Sequence, residues 1–228
     1  MFHIKNEAEK ATVYIYGTIG KDYWDEDSSN TAKNFSQTLD ELGNRPIDIR
    51  IDSCGGDVYE GFAIASAIQR YEGQVTAYVD GMAASAASYI AIMADKVVMS
   101  SFAQFMIHNA WTFACGNAHE LMDVIKQLEG LDDTIARLLA TRTGSELDEI
   151  KAAMAAETWY TAEQALEAGF CDEVIETKQR NAACLDRDLM RNFKHVPDGL
   201  LEKSHDENNL PIEASSLVLG NHVYTIKE

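Results

Sequence analysis

Short runs of β-branched and aromatic residues alternate with longer helical patterns through the first two thirds of the chain. Five of these runs have the composition of strands, and they lie at residues 12–16, 47–51, 75–79, 96–99 and 104–108. Strands that alternate with helices along a sequence are typical of βαβ units. We therefore expect an α/β fold.

Between the strands, apolar residues recur at helical spacing. Residues 57–71 form one amphipathic pattern, and residues 117–143 form a second, long one that we expect to project towards a partner subunit. The most apolar run, residues 82–94, is rich in Ala and Ser and predicts a buried helix. Shorter helices are expected to begin at Thr161 and at Ser145, which is followed three residues later by Asp148 in a near-match to a capping box, where Glu or Gln is the usual acid.

The chain is strongly acidic, with 19 Lys and Arg against 37 Asp and Glu and a net charge of −18. Such a charge repels phosphate backbones and anionic lipids, so neither nucleic acid nor a membrane surface is an expected partner. Beyond residue 176 the charge excess and the periodicity both fade. We predict a main domain, residues 1–176, and an appendage, residues 177–228, that is flexible or docked on another surface.

The four cysteines, at positions 54, 115, 171 and 184, show neither the spacing of a disulfide framework nor that of a zinc site. Nothing in the sequence calls for a metal or an organic cofactor. No apolar run reaches the roughly 20 residues that a bilayer requires, and the first residues lack the apolar stretch of a secretory signal. These features predict a cytoplasmic protein.

Three patches carry residue types that could do chemistry. In the first, residues 51–57, a strand runs into Gly55 and Gly56 and then into a helix. Adjacent glycines let the backbone approach a ligand closely and can point an N–H group into a pocket. A tight strand-to-helix turn would need the same glycines, and the patch lacks the pattern of a phosphate loop.

The second patch, residues 80–89, places Ser85 and Ser88 among alanines at the expected start of a helix. A helix N-terminus favours developing negative charge, which suits a nucleophile in an apolar setting. The N–H of the next residue, Ala86, could donate to an oxyanion. Helix packing would also select small residues, and the spacing alone does not choose Ser85 over Ser88.

The third patch ends an apolar strand at His108, 23 residues after Ser85. A serine nucleophile needs a base, and histidine takes and returns a proton near neutral pH. The other histidines lie in peripheral or polar segments. A lone histidine at a strand end is more often structural than catalytic, so the residues alone leave its role open.

Taken together, S-x-G-G at a strand end, G-x-A-A-S-A at a helix start and M-I-H after the following strand resemble the Clp protease proteolytic subunit family. Residues 157–174 are similar to that family's C-terminal motif, and the resemblance covers about residues 10–176. It implies the superhelix of ββα units that Clp proteases share with crotonases, with a projecting long helix. It also implies a homo-oligomeric ring, single or stacked, whose active sites face an inner chamber.

The resemblance further implies a serine endopeptidase. It selects Ser85 as the nucleophile and His108 as the general base, with oxyanion-hole N–H groups from Gly55 and Ala86. The family's third catalytic residue is an aspartate, whereas the matching position here holds Glu157.

Asp172 is the alternative to Glu157 as the acid. The resemblance places an extended polypeptide substrate along the strand edge at Gly56, Asp57 and Val58, where it would add itself to the sheet through main-chain hydrogen bonds.

The chain departs from the family elsewhere too. Cys54 replaces the proline of the family's S-P-G-G motif, and the first predicted strand begins after about ten residues, which puts an AAA+ unfoldase partner in doubt. The short N-terminus, the E-T-W-Y-T motif and the extended tail are similar to Clp-like head-maturation proteases of bacteriophages and prophages. In that setting the substrate would be a phage scaffold, capsid or portal protein.

Two alternatives remain. One is a catalytically inactive Clp-like subunit that only assembles, favoured by the Glu157 substitution. The other is a crotonase-type acyl-CoA enzyme, which also binds an oxyanion with paired N–H groups but has no use for a nucleophilic serine or for His108.

Overall fold

The computed structural model describes residues 3–6, 10–21, 30–176, 193–197, 216–219 and 222–225. Contacts divide the chain into two units, residues 1–197 and residues 198–228. Residues 177–192 lie outside the described part, so the domain boundary predicted at residue 176 stays a prediction. Residues 193–197 belong to the first unit.

One sheet organises the described part of the first unit. Its strands are β1 (His3–Asn6), β2 (Ala11–Tyr16), β3 (Ile47–Ser53), β4 (Val75–Ala84), β5 (Lys96–Ser100), β6 (Gln104–Ile107), β7 (Thr158–Thr161) and β8 (Glu173–Ile175). The main path has the order β1-β2-β3-β4-β5-β8, in which β1 is antiparallel and the other strands are parallel. Parallel strands need covered faces, and buried Val13, Ile15, Ile49 and Ile51 form part of the resulting core.

Strand β4 changes partner along its length. Its first half pairs with β5, and its last residues, Met82 to Ala84, pair in parallel with β6. Strand β6 in turn pairs antiparallel with β7. The β6–β7 pair therefore branches from the main sheet where β4 ends, and the ends of β4 and β6 lie side by side.

Six helices lie in the described residues: α1 (Ala32–Leu42), α2 (Val58–Arg70), α3 (Ala86–Ala91), α4 (Ala118–Thr143), α5 (Leu147–Ala155) and α6 (Ala162–Glu167). Side chains at their N-termini fix where several of them start. Asp57 accepts from the N–H groups of Tyr59 and Glu60 to begin α2, and Asn117 forms a capping box with Glu120 to begin α4.

Helix α4 is only partly packed on the core. Leu121, Met122 and Ile125 in its first half are exposed, whereas burial starts at Ile135. A helix of 26 residues is about 39 Å long, so roughly half of it extends beyond the sheet. The projecting long helix and the α/β fold predicted from the sequence are confirmed.

Some predicted boundaries are wrong. Residues 82–84 belong to β4, and the buried helix expected over 82–94 is reduced to α3, because the strand continues to pair with β6. Helix α5 begins after Glu146 rather than at Ser145, and no side chain caps it. Strand β1 precedes the first strand expected from the sequence. The helix start at Thr161 is confirmed by a capping box with Gln164.

The second unit contains an antiparallel pair formed by β9 (Ser216–Leu219) and β10 (His222–Thr225). The fading periodicity of the tail did not predict it. Over the described ranges of both units, none of the helices combines the length and the hydrophobicity needed to cross a bilayer.

Candidate active site

Ser85 lies in the turn between β4 and α3 with an unusual backbone conformation. Its φ of 54° and ψ of −121° are values that side-chain-bearing residues rarely adopt, at a cost of about 1–3 kcal/mol. Three hydrogen bonds hold it there. Its N–H donates to the carbonyl of Met106 at 3.0 Å, and its carbonyl accepts from the Ser88 hydroxyl at 2.6 Å and from the Ser88 N–H at 3.0 Å. A sharp strand-to-helix turn of this kind presents a serine hydroxyl at the end of the sheet.

Ser88 is therefore distinguished from Ser85 by its contacts. Its side chain is buried, and its hydroxyl closes the turn by donating to the Ser85 carbonyl. Ser85 is half-buried and keeps its own hydroxyl for another partner.

That partner is His108, the residue that follows β6. Strands β4 and β6 pair in parallel, with Ala84 opposite Met106. The residues that follow the two strands therefore lie at the same end of the sheet. Nε2 of His108 lies 2.7 Å from Oγ of Ser85. Burial lowers the pKa of His108 below its ordinary value, and the negative charge of Glu157 opposes that shift only in part.

Glu157 stands next to His108 across the β6–β7 pair. Ile107 pairs with Thr158 in the antiparallel register, so the next residue of β6 faces the residue that precedes β7. Glu157 has a positive φ of 51° and is only 8 % exposed. Strands β4, β6 and β7 thus bring Ser85, His108 and Glu157 together in a row.

The carboxylate of Glu157 is occupied by the chain itself. Its Oε2 accepts from the N–H of Lys194 at 2.9 Å, and its Oε1 accepts from the N–H of His195 at 2.6 Å. Within the described ranges, no hydrogen bond joins this carboxylate to the His108 ring. From the sequence, this segment belongs to the predicted appendage and not to the site. The only feature in the sequence that sets it apart is a Phe-Lys-His run in a polar segment.

Asp172, the alternative acid, forms hydrogen bonds outside the candidate site. Its Oδ2 accepts from the N–H of Val97 and from the guanidinium of Arg142, both at 2.6 Å. These bonds attach the turn before β8 to β5 and to the end of α4. The structure thus gives Asp172 a role in packing and places Glu157 beside the histidine.

The Gly55–Gly56 turn lies in close contact with Ser85. A Cβ on Gly55, whose φ is +92°, would lie 2.7 Å from Cβ of Ser85, so a side chain there would displace the serine. The N–H of Gly55, predicted as an oxyanion donor, donates instead to Oγ of Ser53 at 3.1 Å. The N–H of Gly55 must release Ser53 before it can donate to an oxyanion. Ala86 is the first residue of α3, where an N–H group has no partner inside the helix.

The predicted substrate edge is partly covered. The carbonyl of Gly55 and the N–H of Asp57 bond to Ile19. In this parallel bridge the N–H and carbonyl of Gly56 point to the opposite side, where an extended peptide could pair with them. The Asp57 carboxylate caps α2, and the carbonyl of Val58 accepts from the Tyr89 hydroxyl at 3.1 Å.

Two cavities adjoin the Ser85–His108 pair. A narrow one beside the serine is lined mainly by apolar side chains, among them Val58, Tyr89 and Ile135. A wider cleft of about 400 Å³ lies on the other side of His108, where Trp111, Phe113 and Met154 meet Glu157 and the Lys194–His195 segment. In the described part of the chain, no group of three or more His, Cys, Asp or Glu side chains could hold a metal ion.

Comparisons with known proteins agree with one another. A family model described as Clp protease matches residues 12–178. The chain is 30% identical over 169 residues to an ATP-dependent Clp protease proteolytic subunit of Bacteroides fragilis, covering 73% of this chain and 80% of that protein. It is 32% identical over 134 residues to ATP-dependent Clp protease proteolytic subunit 2 of Rhodococcus jostii, covering 58% and 69%.

A solved structure gives the same result. A mutant of ClpP1 from Listeria monocytogenes superimposes with a TM-score of 0.63 at 27% sequence identity, covering 73% of this chain and 92% of that one. The family model, which matches residues 12–178, extends over Ser85, His108 and Glu157.

Proposed function

Because this chain belongs to the Clp protease family of serine peptidases, we propose that Ser85, His108 and Glu157 form the active site of an endopeptidase. The observation that carries this proposal is the 2.7 Å contact between Nε2 of His108 and Oγ of Ser85, a serine held in a strained turn. A nucleophile and a base within hydrogen-bond reach are what covalent catalysis by serine requires.

In the proposed reaction, Oγ of Ser85 attacks the carbonyl carbon of the scissile peptide bond while Nε2 of His108 takes the hydroxyl proton. His108 then returns this proton to the leaving amine, and water hydrolyses the acyl-enzyme by the same route in reverse. Glu157 stabilises the imidazolium form of His108 by its charge. This chemistry uses no metal and no organic cofactor.

The oxyanion of the tetrahedral intermediate needs N–H donors that are free when it forms. We assign one to Ala86 at the start of α3. The second comes from the Gly55–Gly56 turn: Gly55 can supply it after releasing Ser53, whereas the N–H of Gly56 already points away from Ile19.

We propose that the polypeptide substrate pairs with the free edge of Gly56, with Asp57 shaping that edge by capping α2. The side chain before the scissile bond would enter the narrow cavity bounded by Val58 and Tyr89. Since that cavity has little free volume, small apolar side chains are the expected occupants there.

Clp proteolytic subunits assemble into rings, and we propose a homo-oligomeric ring for this chain. Support comes from the exposed apolar residues on the projecting half of α4, Leu121, Met122 and Ile125, together with exposed Phe113. Exposed apolar surface of this kind is typical of subunit contacts.

The relatives named above are called ATP-dependent. We propose that short peptides are cleaved here without an AAA+ unfoldase, because acyl transfer itself consumes no nucleotide.

A finer assignment concerns the biological substrate. We propose a phage or prophage head-maturation protease of the cytoplasm that cleaves scaffold, capsid or portal protein, supported by the E-T-W-Y-T motif and the long tail. When the protein is co-expressed with phage scaffold and portal proteins, these proteins should be cleaved, and they should stay intact with a Ser85→Ala variant. Intact scaffold and portal proteins in both cultures would contradict this assignment. The proposed peptidase activity would still stand.

The peptidase itself is tested by labelling the full chain with a fluorophosphonate probe and locating the modified residue by mass spectrometry. We expect modification of Ser85. Failure of Ser85 to react in every form of the chain that is tested would favour the inactive assembly subunit. The acyl-CoA alternative is not supported, because both the family model and the structural match identify Clp proteases.

A further inference from the structure

We propose that Phe193, Lys194 and His195 form an autoinhibitory latch that holds the Glu157 carboxylate away from His108. The inference rests on the proposed peptidase function of Ser85, and it concerns how that site is regulated. The latch is defined by these three residues, which belong to the same unit as the active site.

The first half of the contact is polar. Two successive backbone N–H groups, those of Lys194 and His195, donate one to each oxygen of Glu157. The His195 ring adds a contact of 3.1 Å from Nδ1 to the carbonyl of Ala156. Hydrogen bonds to a charged carboxylate are among the stronger ones in proteins, and a buried carboxylate depends on them.

The second half of the contact is apolar. Phe193 is only 8 % exposed and packs edge-to-face on the His108 ring, with centroids 5.3 Å apart. It also packs on Trp159 of β7 at 5.8 Å. The segment therefore contacts both the base and the acid of the proposed site, one by a ring and the other by backbone groups.

These contacts compete with catalysis. A catalytic carboxylate orients its histidine by accepting from Nδ1–H, which fixes the tautomer that leaves Nε2 free to take the serine proton. In this structure both oxygens of Glu157 bond to the latch, and in the described residues neither bonds to the imidazole. Turning the carboxylate towards His108 requires breaking at least one latch bond. Ser85 and His108 are already in contact, so release of the latch would let Glu157 complete the row of nucleophile, base and acid.

The experiment measures the rate at which a fluorophosphonate probe labels Ser85 in the full chain. Phe193→Ala removes the ring, and Lys194→Pro removes the N–H that reaches Oε2. Each should raise the labelling rate at least about fivefold, the lower end of typical coupling between two linked states. The two variants remove different parts of the contact, so misfolding of one leaves the other informative.

Matched controls separate the latch from general effects. Lys194→Ala keeps the N–H and changes only an exposed side chain, and Phe102→Ala removes an exposed ring at the opposite end of β6. Both should label at the rate of the unmodified chain.

Equal rates in all the variants would overturn the latch and leave the peptidase standing. Slower labelling of Phe193→Ala and Lys194→Pro would also overturn it, because the segment would then support the site. No labelling of any variant, the unmodified chain included, would overturn the proposed function and the latch with it.

Discussion

The two halves of the candidate site are held by different kinds of structure. Ser85 and His108 are placed by neighbouring parallel strands of the buried sheet, and their side chains are already in contact at 2.7 Å. Glu157 is placed beside them by an antiparallel pair, but its carboxylate is bound by a segment 37 and 38 residues further along the chain. The core thus fixes the nucleophile and its base, whereas the acid depends on a contact that can be exchanged.

This difference implies different sensitivities to mutation. Changes in the first half should remove the chemistry outright, since no other group can take the place of the nucleophile. Changes in the second half should alter rates and pH dependence, since the acid acts through the histidine rather than on the substrate.

The largest expected effect is that of Ser85→Ala. Hydrolysis of a peptide substrate should fall by about 10³-fold or more, because the remaining site can only bind the substrate and stabilise the oxyanion. Far-ultraviolet circular dichroism should be unchanged. Ser88→Ala is the matched control: it loses only the bond that closes the turn and should retain labelling by a fluorophosphonate probe. If Ser85→Ala kept the activity of the Ser88→Ala control, Ser85 would be a packing residue.

The first half of the site could be predicted only through the resemblance of its short motifs to the Clp family. Local patterns alone left Ser85 and Ser88 as alternatives and the role of His108 open, whereas the structure places Ser85 and His108 at the ends of neighbouring strands. The α/β fold and the long helix could be predicted from local patterns, because periodicity is a local property.

The second half could not be predicted in this way. That Phe193 packs on His108 depends on contacts between residues 85 positions apart, and no local pattern encodes them. The continuation of β4 through Met82–Ala84 was also missed, because an alanine-rich run suits a helix until its pairing with β6 is known. The bond from the N–H of Gly55 to Ser53 is likewise a product of the folded turn.

Glu157→Gln should have the next largest effect, a loss of roughly 10- to 100-fold in kcat/KM, because a neutral amide no longer stabilises the imidazolium. The loss should be smaller than for Ser85→Ala, since this substitution leaves the Ser85–His108 contact in place. Glu157→Asp keeps the charge and should recover part of the activity. A rate for Glu157→Gln within about twofold of the unmodified chain would assign the orienting role to another group.

The pH dependence should show a moderate effect. Burial lowers the pKa of His108 below its ordinary value of about 6.5, and a general base works only when it is unprotonated. The acid limb of kcat/KM should therefore have its midpoint below pH 6.5, and activity should fall as the pH drops through that midpoint.

In Glu157→Gln the acid limb should move to still lower pH, because the charge that favours protonation of His108 is gone. A midpoint above pH 6.5 in the unmodified chain would show that the histidine is more exposed to solvent, or more strongly paired with Glu157, than in this structure.

Asp172→Asn should have the smallest effect and separates the two carboxylates most directly. Asp172 binds Val97 and Arg142, so its loss should lower the free energy of unfolding by about 1 kcal/mol and leave kcat/KM within about twofold. Urea unfolding and peptide hydrolysis measure the two quantities. Glu173→Gln, which removes an exposed ion pair with Lys96, is the control and should cost almost nothing. If Asp172→Asn lost activity while remaining stable, Asp172 would be the acid, and the latch on Glu157 would have no catalytic consequence.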